Sequence, residues 1–343
     1  MTYALDATYS TGDNLSGVGV YSREILHGLA RAHPEARFTW CYRPHRLWRA
    51  FTGRPPNASL RPLLENVQLF RTRLFHGLNQ RLPARRFTRS VCTFHDLFVL
   101  TSDYSTAEFR RRFAQQAREA ASRADLVICV STFTAAQVSA LLGVDSGRLR
   151  VIPHGTRFPT RAGSPRREPL ILHVGAIQHR KNLSRLVAAF ERCAPSPWRL
   201  ALAGSDGFGA AEIHRRIAAS RASDRIDVLG WVDDNALNAL YVRASIFAFP
   251  SLDEGFGIPV LEAMAQGVPV LSSNRSALPE ACGDAALLVD PLSEDDIAHA
   301  LTRLIADSAL RGRLALAGRA RAEQFPWSRA VASTWNVYRE MSP

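Results

Sequence analysis

Of the 43 basic residues in this 343-residue sequence, 42 are arginine and only Lys181 is lysine. Lysine is a compact ammonium with three rotatable donors, suited to a crowded phosphate, whereas arginine is a wide planar fork. Lys181 closes the stretch Val174-Gly175-Ala176-Ile177-Gln178-His179-Arg180-Lys181-Asn182, in which an apolar run, a glycine loop, two adjacent cations and a helix start follow in order. Two positive charges beside the partly positive end of a helix make a site for a diphosphate that needs no metal. A solvated basic turn is the competing reading, and it leaves the position of the sole lysine unexplained.

Three further stretches carry groups that could do chemistry. Glu254 and Glu262 stand eight positions apart across Gly255, Phe256, Gly257 and Ile258, with Pro259 in the first turn of an expected helix. Backbone amides there can meet phosphate oxygens, and carboxylates accept hydrogen bonds from sugar and ribose hydroxyls. His95 follows the apolar run ending Thr93-Phe94; a histidine at a strand end is a candidate acid, base or donor, and Asp96 beside it could orient it or meet substrate hydroxyls. A satisfied core histidine is the alternative. Finally, Leu15-Ser16-Gly17-Val18-Gly19-Val20-Tyr21 opens a helix, where glycines let the backbone approach a ligand and free amides attract an anion. It lacks the dinucleotide-binding spacing, because no glycine follows Gly19 until Gly28. A purely structural loop serves equally well.

The elements that must hold these groups alternate along the chain. Strands are expected near residues 3–7, 38–42, 90–94, 126–130, 150–153, 170–174, 199–203, 226–229, 246–249, 268–272 and 286–289, with helices between many of them. Such alternation implies parallel sheets covered by helices on both faces. Between 155 and 169 the pattern dissolves into Gly, Pro, Thr, Ser and Arg, which places a domain junction there. Length argues the same way, since single cores stop growing near ~250–300 residues. The reading is two doubly wound domains, 1–157 and 158–326, each offering the carboxyl ends of its strands to a cleft between them. The tail 327–343 holds a last amphipathic helix that either crosses back to the first domain or covers the second.

Composition narrows the function. A 46% hydrophobic, 22% charged chain is globular. No apolar run approaches the ~20 residues that span a bilayer, and Met1 is not followed by a basic and then apolar leader, so a soluble, unexported chain is expected. Five cysteines without a C-x-x-C pair suggest neither disulfides nor zinc, which fits a reducing cytoplasm. The net charge of +12 lies almost wholly in residues 1–160, which hold 22 Arg against 11 acids. That field could attract nucleic acid, anionic lipid or a phosphorylated substrate. No nucleic-acid-binding signature accompanies it, so no nucleic-acid partner is expected.

Taken together, Gly17-Val18-Gly19, His95, Arg180-Lys181-Asn182 and the Glu254/Glu262 pair resemble glycosyltransferase family 4, the retaining sugar-nucleotide transferases of GT-B fold. Val151-Ile152-Pro153-His154-Gly155, Leu229-Gly230-Trp231-Val232 and Phe325-Pro326-Trp327 extend the resemblance over nearly the whole chain. It implies that the second domain binds the nucleotide sugar and the first the acceptor. Arg180 and Lys181, with Gly175, would take the diphosphate, Glu262 the ribose, and Glu254, Gly255, Phe256, Gly257 and Ile258 the donor sugar and phosphate. Trp231 and Val232 would lie near the base, Gly17, Val18 and Gly19 would close over the diphosphate, and His95 would reach the sugar near the reacting centre. Asp96 and Tyr21 are the candidate acceptor contacts, and His95, Glu254, Arg180 and Lys181 the candidate catalytic group. With no Asp-x-Asp in the chain, metal-independent turnover without a cofactor is expected.

The wording Phe94-His95-Asp96-Leu97 resembles bacterial mannosyltransferases of O-antigen and exopolysaccharide assembly, implying GDP-mannose as donor and a lipid-linked saccharide as acceptor. UDP- or dTDP-sugar donors, or a sugar-nucleotide binder without turnover, are the alternatives. Arg71, Arg73, Arg81, Arg85, Arg86, Arg89, Arg110, Arg111 and Arg112 would then dock the protein on anionic lipid at the inner membrane face.

Overall fold

The computed structural model describes residues 2–12, 14–48, 53–65, 72–163 and 165–341; Arg71 lies outside them. The chain divides into two compact units, Met1–Gly155 with Trp327–Pro343, and Thr156–Pro326.

The first unit contains β1 (Thr2–Asp6), α1 (Gly17–Ala32), β2 (Arg37–Tyr42), α2 (Pro44–Leu47), β3 (Ala58–Pro62), β4 (Thr72–Gly77), β5 (Arg89–Phe94), α3 (Phe98–Thr101), α4 (Ala107–Arg123), β6 (Leu126–Cys129), α5 (Thr132–Leu142) and β7 (Leu149–Val151). The second contains β8 (Glu168–Val174), α6 (Leu183–Cys193), β9 (Arg199–Ala203), α7 (Ala210–Ala218), β10 (Ile226–Gly230), α8 (Asp234–Arg243), β11 (Ala244–Phe249), α9 (Ile258–Ala265), β12 (Val270–Ser273), α10 (Leu278–Cys282), β13 (Ala286–Val289), α11 (Glu294–Ala306) and α12 (Ser308–Ala322). The chain then returns to the first unit through α13 (Trp327–Glu340).

Both sheets are parallel throughout, in the orders β3-β2-β1-β4-β5-β6-β7 and β10-β9-β8-β11-β12-β13. A parallel sheet is buried on both faces, so its inner strands are apolar runs rather than alternations. β11, Ala-Ser-Ile-Phe-Ala-Phe, is buried at all six positions. Helix starts are set by side-chain caps: Ser16 accepts from Gly19 N–H, Thr106 from Phe109 N–H, Ser131 from Thr134 N–H and Asp233 from Ala236 N–H.

One face of the first sheet packs Leu5, Phe38 and Leu74 against Ile25 and Leu29 of α1 and Val331 and Tyr338 of α13. The other packs Phe75, Phe94 and Val127 against Ala117, Ala120 and Val138 of α4 and α5. In the second unit Ile171, Leu202 and Ile246 meet Leu186, Phe190, Ile297 and Leu301.

Besides the short helices α2, α3 and α10, three elements are absent from the sequence expectation. β3, Ala-Ser-Leu-Arg-Pro, is a half-exposed edge strand ending in proline, so it carries neither an apolar run nor clean alternation. β4, Thr-Arg-Leu-Phe-His-Gly, lies centrally between β1 and β5, but only two adjacent residues are apolar and its His76 is a buried polar residue. α12 has small residues and arginines distributed around its whole circumference, which hides the helical period.

Helix α13 docks on α1 where Gly28 allows the backbones to approach; a Cβ on Gly28 would lie 2.4 Å from Val331 Cγ2. Gly28→Val is expected to lower the unfolding free energy by about 1–3 kcal/mol through overpacking. Denaturant unfolding of the full chain, followed by tryptophan fluorescence, checks it.

Candidate active site

Strand order reverses once in each sheet, at β1/β4 and at β8/β11. The carboxyl ends flanking such a reversal are where open α/β sheets bind ligands. In the second unit, β8 runs out through Val174 into Gly175 and the turn carrying Arg180 and Lys181, while β11 runs out through Phe249 towards Glu254. The topology therefore brings together groups 73 positions apart in the chain.

There Glu254 accepts from Lys181 Nζ at 2.5 Å through Oε1 and pairs with Arg180 Nη1 at 2.9 Å through Oε2. All three residues are buried. Burial alone would raise the Glu254 pKa, but Arg180 and then Lys181 outweigh it and hold the carboxyl down at about 2. Lys181 Nζ also sits 4.6 Å from the centre of the Phe249 ring, and Arg180 Nη1 donates to the Asp253 carbonyl at 2.5 Å. Two cations against one carboxylate leave the cluster with a net positive charge, fixed in place before any ligand arrives.

The loops around the cluster are bolted down. Asn182 adopts φ 60° and donates through Nδ2 to the carbonyls of Pro250 and Pro291. Leu252 N–H donates to the Arg180 carbonyl, and Glu254 N–H to Ser276 Oγ. Gly175, at φ +155°, leaves room for the lysine: a Cβ there would lie 3.2 Å from Lys181 Cε and 3.3 Å from His173 Nε2. His173, wholly buried, donates from Nδ1 to the Ala248 carbonyl, so Nε2 is its unprotonated nitrogen; burial lowers its pKa to about 4. Gly255, Phe256, Gly257 and Ile258 are buried behind Glu254, and Gly257, at φ +112°, begins α9 close under Leu278.

Glu262 has partners that the sequence does not announce. It is wholly buried, and both oxygens are taken: Oε1 by Arg157 Nε at 2.5 Å, Oε2 by Arg157 Nη2 at 3.1 Å and by the Tyr241 hydroxyl at 3.1 Å. Spacing gave no sign of this arginine, which sits 105 positions earlier in the chain. Trp231 is 41% exposed just after β10, with Val232 half-buried beside it.

In the first unit the candidate groups gather around His95, just after β5. His95 is buried; its Nε2 donates to the Leu78 carbonyl at 2.9 Å, so its Nδ1 is the accepting nitrogen, 3.4 Å from His154 Nε2. Burial lowers its pKa to about 4. It is thus an uncharged imidazole near neutral pH, with Nε2 bonded and Nδ1 in a long contact. Tyr21 belongs to the core: its hydroxyl meets Thr93 Oγ1 at 2.9 Å and its ring stands edge-on to His95, so it supports His95 instead of meeting an acceptor. Thr93 Oγ1 continues to His76 Nε2 at 2.8 Å, and His76 Nδ1 to the Tyr338 hydroxyl at 2.6 Å. Asp96 is half-buried next to His95. Gly17 and Val18 form the first turn of α1; Gly17 has open space around it, while a Cβ on Gly19 would meet the Tyr9 carbonyl at 2.9 Å.

Comparison with known proteins agrees with this architecture. Residues 156–321 match the family described as Glycosyl transferases group 1, and residues 15–157 match Glycosyltransferase Family 4. The O-antigen chain mannosyltransferase B of Escherichia coli is 31% identical over 283 residues, covering 78% of this chain and 74% of that protein. The serotype-specific mannosyltransferase WbdA of Escherichia coli is 28% identical over 261 residues, covering 70% of this chain but only 32% of WbdA. Among solved structures, sucrose-phosphate synthase from Thermosynechococcus elongatus superposes with a TM-score of 0.83 at 23% identity, covering 99% of both chains. Anabaena HepE in complex with UDP and glucose gives 0.75 at 18% identity, again covering 99% of both. The fold is GT-B, and the family matches make the chain a glycosyltransferase. Within that class, the chain belongs to glycosyltransferase family 4, with O-antigen mannosyltransferases among its relatives.

Because the Glu254 pKa is depressed, its pairing stabilises the protein fully above the ordinary carboxyl pKa and loses that contribution as pH falls from about 4.5 towards 2. The loss attributable to this group is expected to be on the order of 3 kcal/mol. Glu254→Gln should be less stable at pH 7 and flatter than wild type between pH 5 and 2, as read from urea midpoints across that range.

Proposed function

We propose that this glycosyltransferase transfers mannose from GDP-mannose, with retention of anomeric configuration, to a lipid-linked saccharide acceptor in bacterial surface-polysaccharide assembly. The observation that carries the reading is the buried cluster of Arg180, Lys181 and Glu254 at the β8/β11 reversal. When the bond between the anomeric carbon and the diphosphate oxygen breaks, the electron pair stays with the diphosphate. Preset cations lower the energy of that developing charge without having to reorganise. Arg180 and Lys181 fill this role, and Glu254 both fixes them and offers carboxylate oxygens to sugar hydroxyls. Of the two His95 nitrogens, Nδ1 holds only a long 3.4 Å contact to His154 and is the one that would accept from a sugar hydroxyl. The similarity to mannosyltransferase B supports mannose as the sugar. A UDP-sugar donor is the second reading, favoured by the fold likeness to HepE with UDP and glucose.

For the acceptor side, Arg86, Arg89, Arg111 and Arg112 are exposed on the first unit, although Arg89 and Arg112 lie within 4 Å of Asp125 and Glu108. Arg81 is bonded to Glu65. Among the described residues no helix is long and apolar enough to cross a membrane. Peripheral docking on anionic lipid would use the exposed arginines at about 1 kcal/mol each. Full-length protein should therefore sediment with phosphatidylglycerol vesicles at low salt but not with phosphatidylcholine vesicles, and equal binding to both would remove the electrostatic docking.

Thermal stabilisation against a panel of nucleoside diphosphates and their sugars tests the donor, because a ligand specific to the folded state raises the midpoint with its affinity. A selective shift with GDP and GDP-mannose, unchanged by chelator, is expected; selectivity for UDP would replace the donor. Lys181→Ala and Arg180→Ala together should lower kcat/KM by a few kcal/mol in transition-state terms. Wild-type kinetics in both would sink the diphosphate assignment.

A further inference from the structure

Arg157 is the second residue of the second unit, which begins at Thr156. Its guanidinium spans two carboxylates: Nε and Nη2 hold Glu262, and Nη1 holds Asp234 Oδ1 at 2.7 Å. The two acids differ in setting. The Glu262 side chain has no exposure, whereas that of Asp234, in the first turn of α8, is 55% exposed.

A carboxylate has about four lone-pair positions. Arg157 and Tyr241 fill three of those on Glu262, and none reaches solvent. The fourth, on Oε1, is as deeply buried as the rest of the side chain, so the carboxylate opens to a ribose hydroxyl where Arg157 yields a position. A partly buried guanidinium gives up a carboxylate only when another anion takes over its charge, since an uncompensated buried charge is costly. Asp234 is that second anion, already bonded to the same guanidinium. The Phe158 ring, 5.4 Å from Arg157 Cζ, supplies a face on which the cation stays favourably placed as it shifts.

We propose that Arg157 is a positioning residue handed from Glu262 to Asp234 when nucleotide binds. In the free protein it balances the Glu262 charge. In the complex Asp234 retains it, and one side of the Glu262 carboxylate is released to the ribose. This rests on the reading of Glu262 as the ribose acceptor.

Asp234→Asn keeps the shape of the side chain but removes the anion that receives Arg157, and its exposed position leaves folding unaffected, as thermal unfolding without ligand will show. Binding of GDP and UDP, each compared with its 2′,3′-dideoxy form, is measured by calorimetry in wild type, Asp234→Asn and Asp234→Glu. The expected result is that the preferred ribonucleotide binds Asp234→Asn about tenfold more weakly while its dideoxy form is unaffected, and that Asp234→Glu restores the difference. In turnover the effect falls on KM for the donor and not on kcat. Equal weakening of ribo and dideoxy forms, or no weakening, overturns the transfer of Arg157 while leaving the ribose role standing. A wild type that does not distinguish ribo from dideoxy nucleotide overturns the ribose role and the transfer together.

Discussion

Burying two cations beside one carboxylate is the constraint from which the second unit is best understood. Isolated charges do not survive at such depth, so Arg180, Lys181 and Glu254 must be delivered to one point together. A doubly wound sheet does this at its order reversal, where two strands distant in sequence end side by side. The supporting details follow from the same need. Gly175 removes the side chain that would crowd Lys181, Phe249 offers it a ring, and Asn182 ties the cation turn to the end of β11. The result is a positive site whose geometry is bound up with the core.

The first unit uses the same topology with a different electrostatic solution. Its polar groups run Tyr21, Thr93, His76, Tyr338, linked by hydrogen bonds and uncharged near neutral pH. Neutral groups that satisfy one another can be buried without a counter-ion. The second unit thus holds paired charges at its strand ends, and the first holds a neutral imidazole, His95, after β5.

Much of this was legible before any coordinates. Inner strands of parallel sheets are apolar runs, so β8, β9 and β11 stood out. The lone lysine pointed to its own site. What was hidden depended on partners far along the chain. β4 was masked because its buried His76 is matched by Thr93 and Tyr338, and no local pattern announces such a match. Glu262 looked like an open acceptor because a carboxylate in a sequence carries no record of the arginine that covers it. His95 could be read as acid, base or donor because its tautomer is set by the Leu78 carbonyl, which no local pattern announces.

The return of α13 to the first unit bears on how the chain is made. Residues of the second unit are continuous from Thr156 to Pro326, whereas the first unit draws Val331, Val337 and Tyr338 from the far end of the chain into its core. During synthesis the second unit can leave the ribosome whole and fold while the first still lacks the helix that covers α1. Domains generally fold as units in order of emergence, but here the half that is translated first completes its core last. Until then Leu29 and His76 wait for partners that have not yet been made.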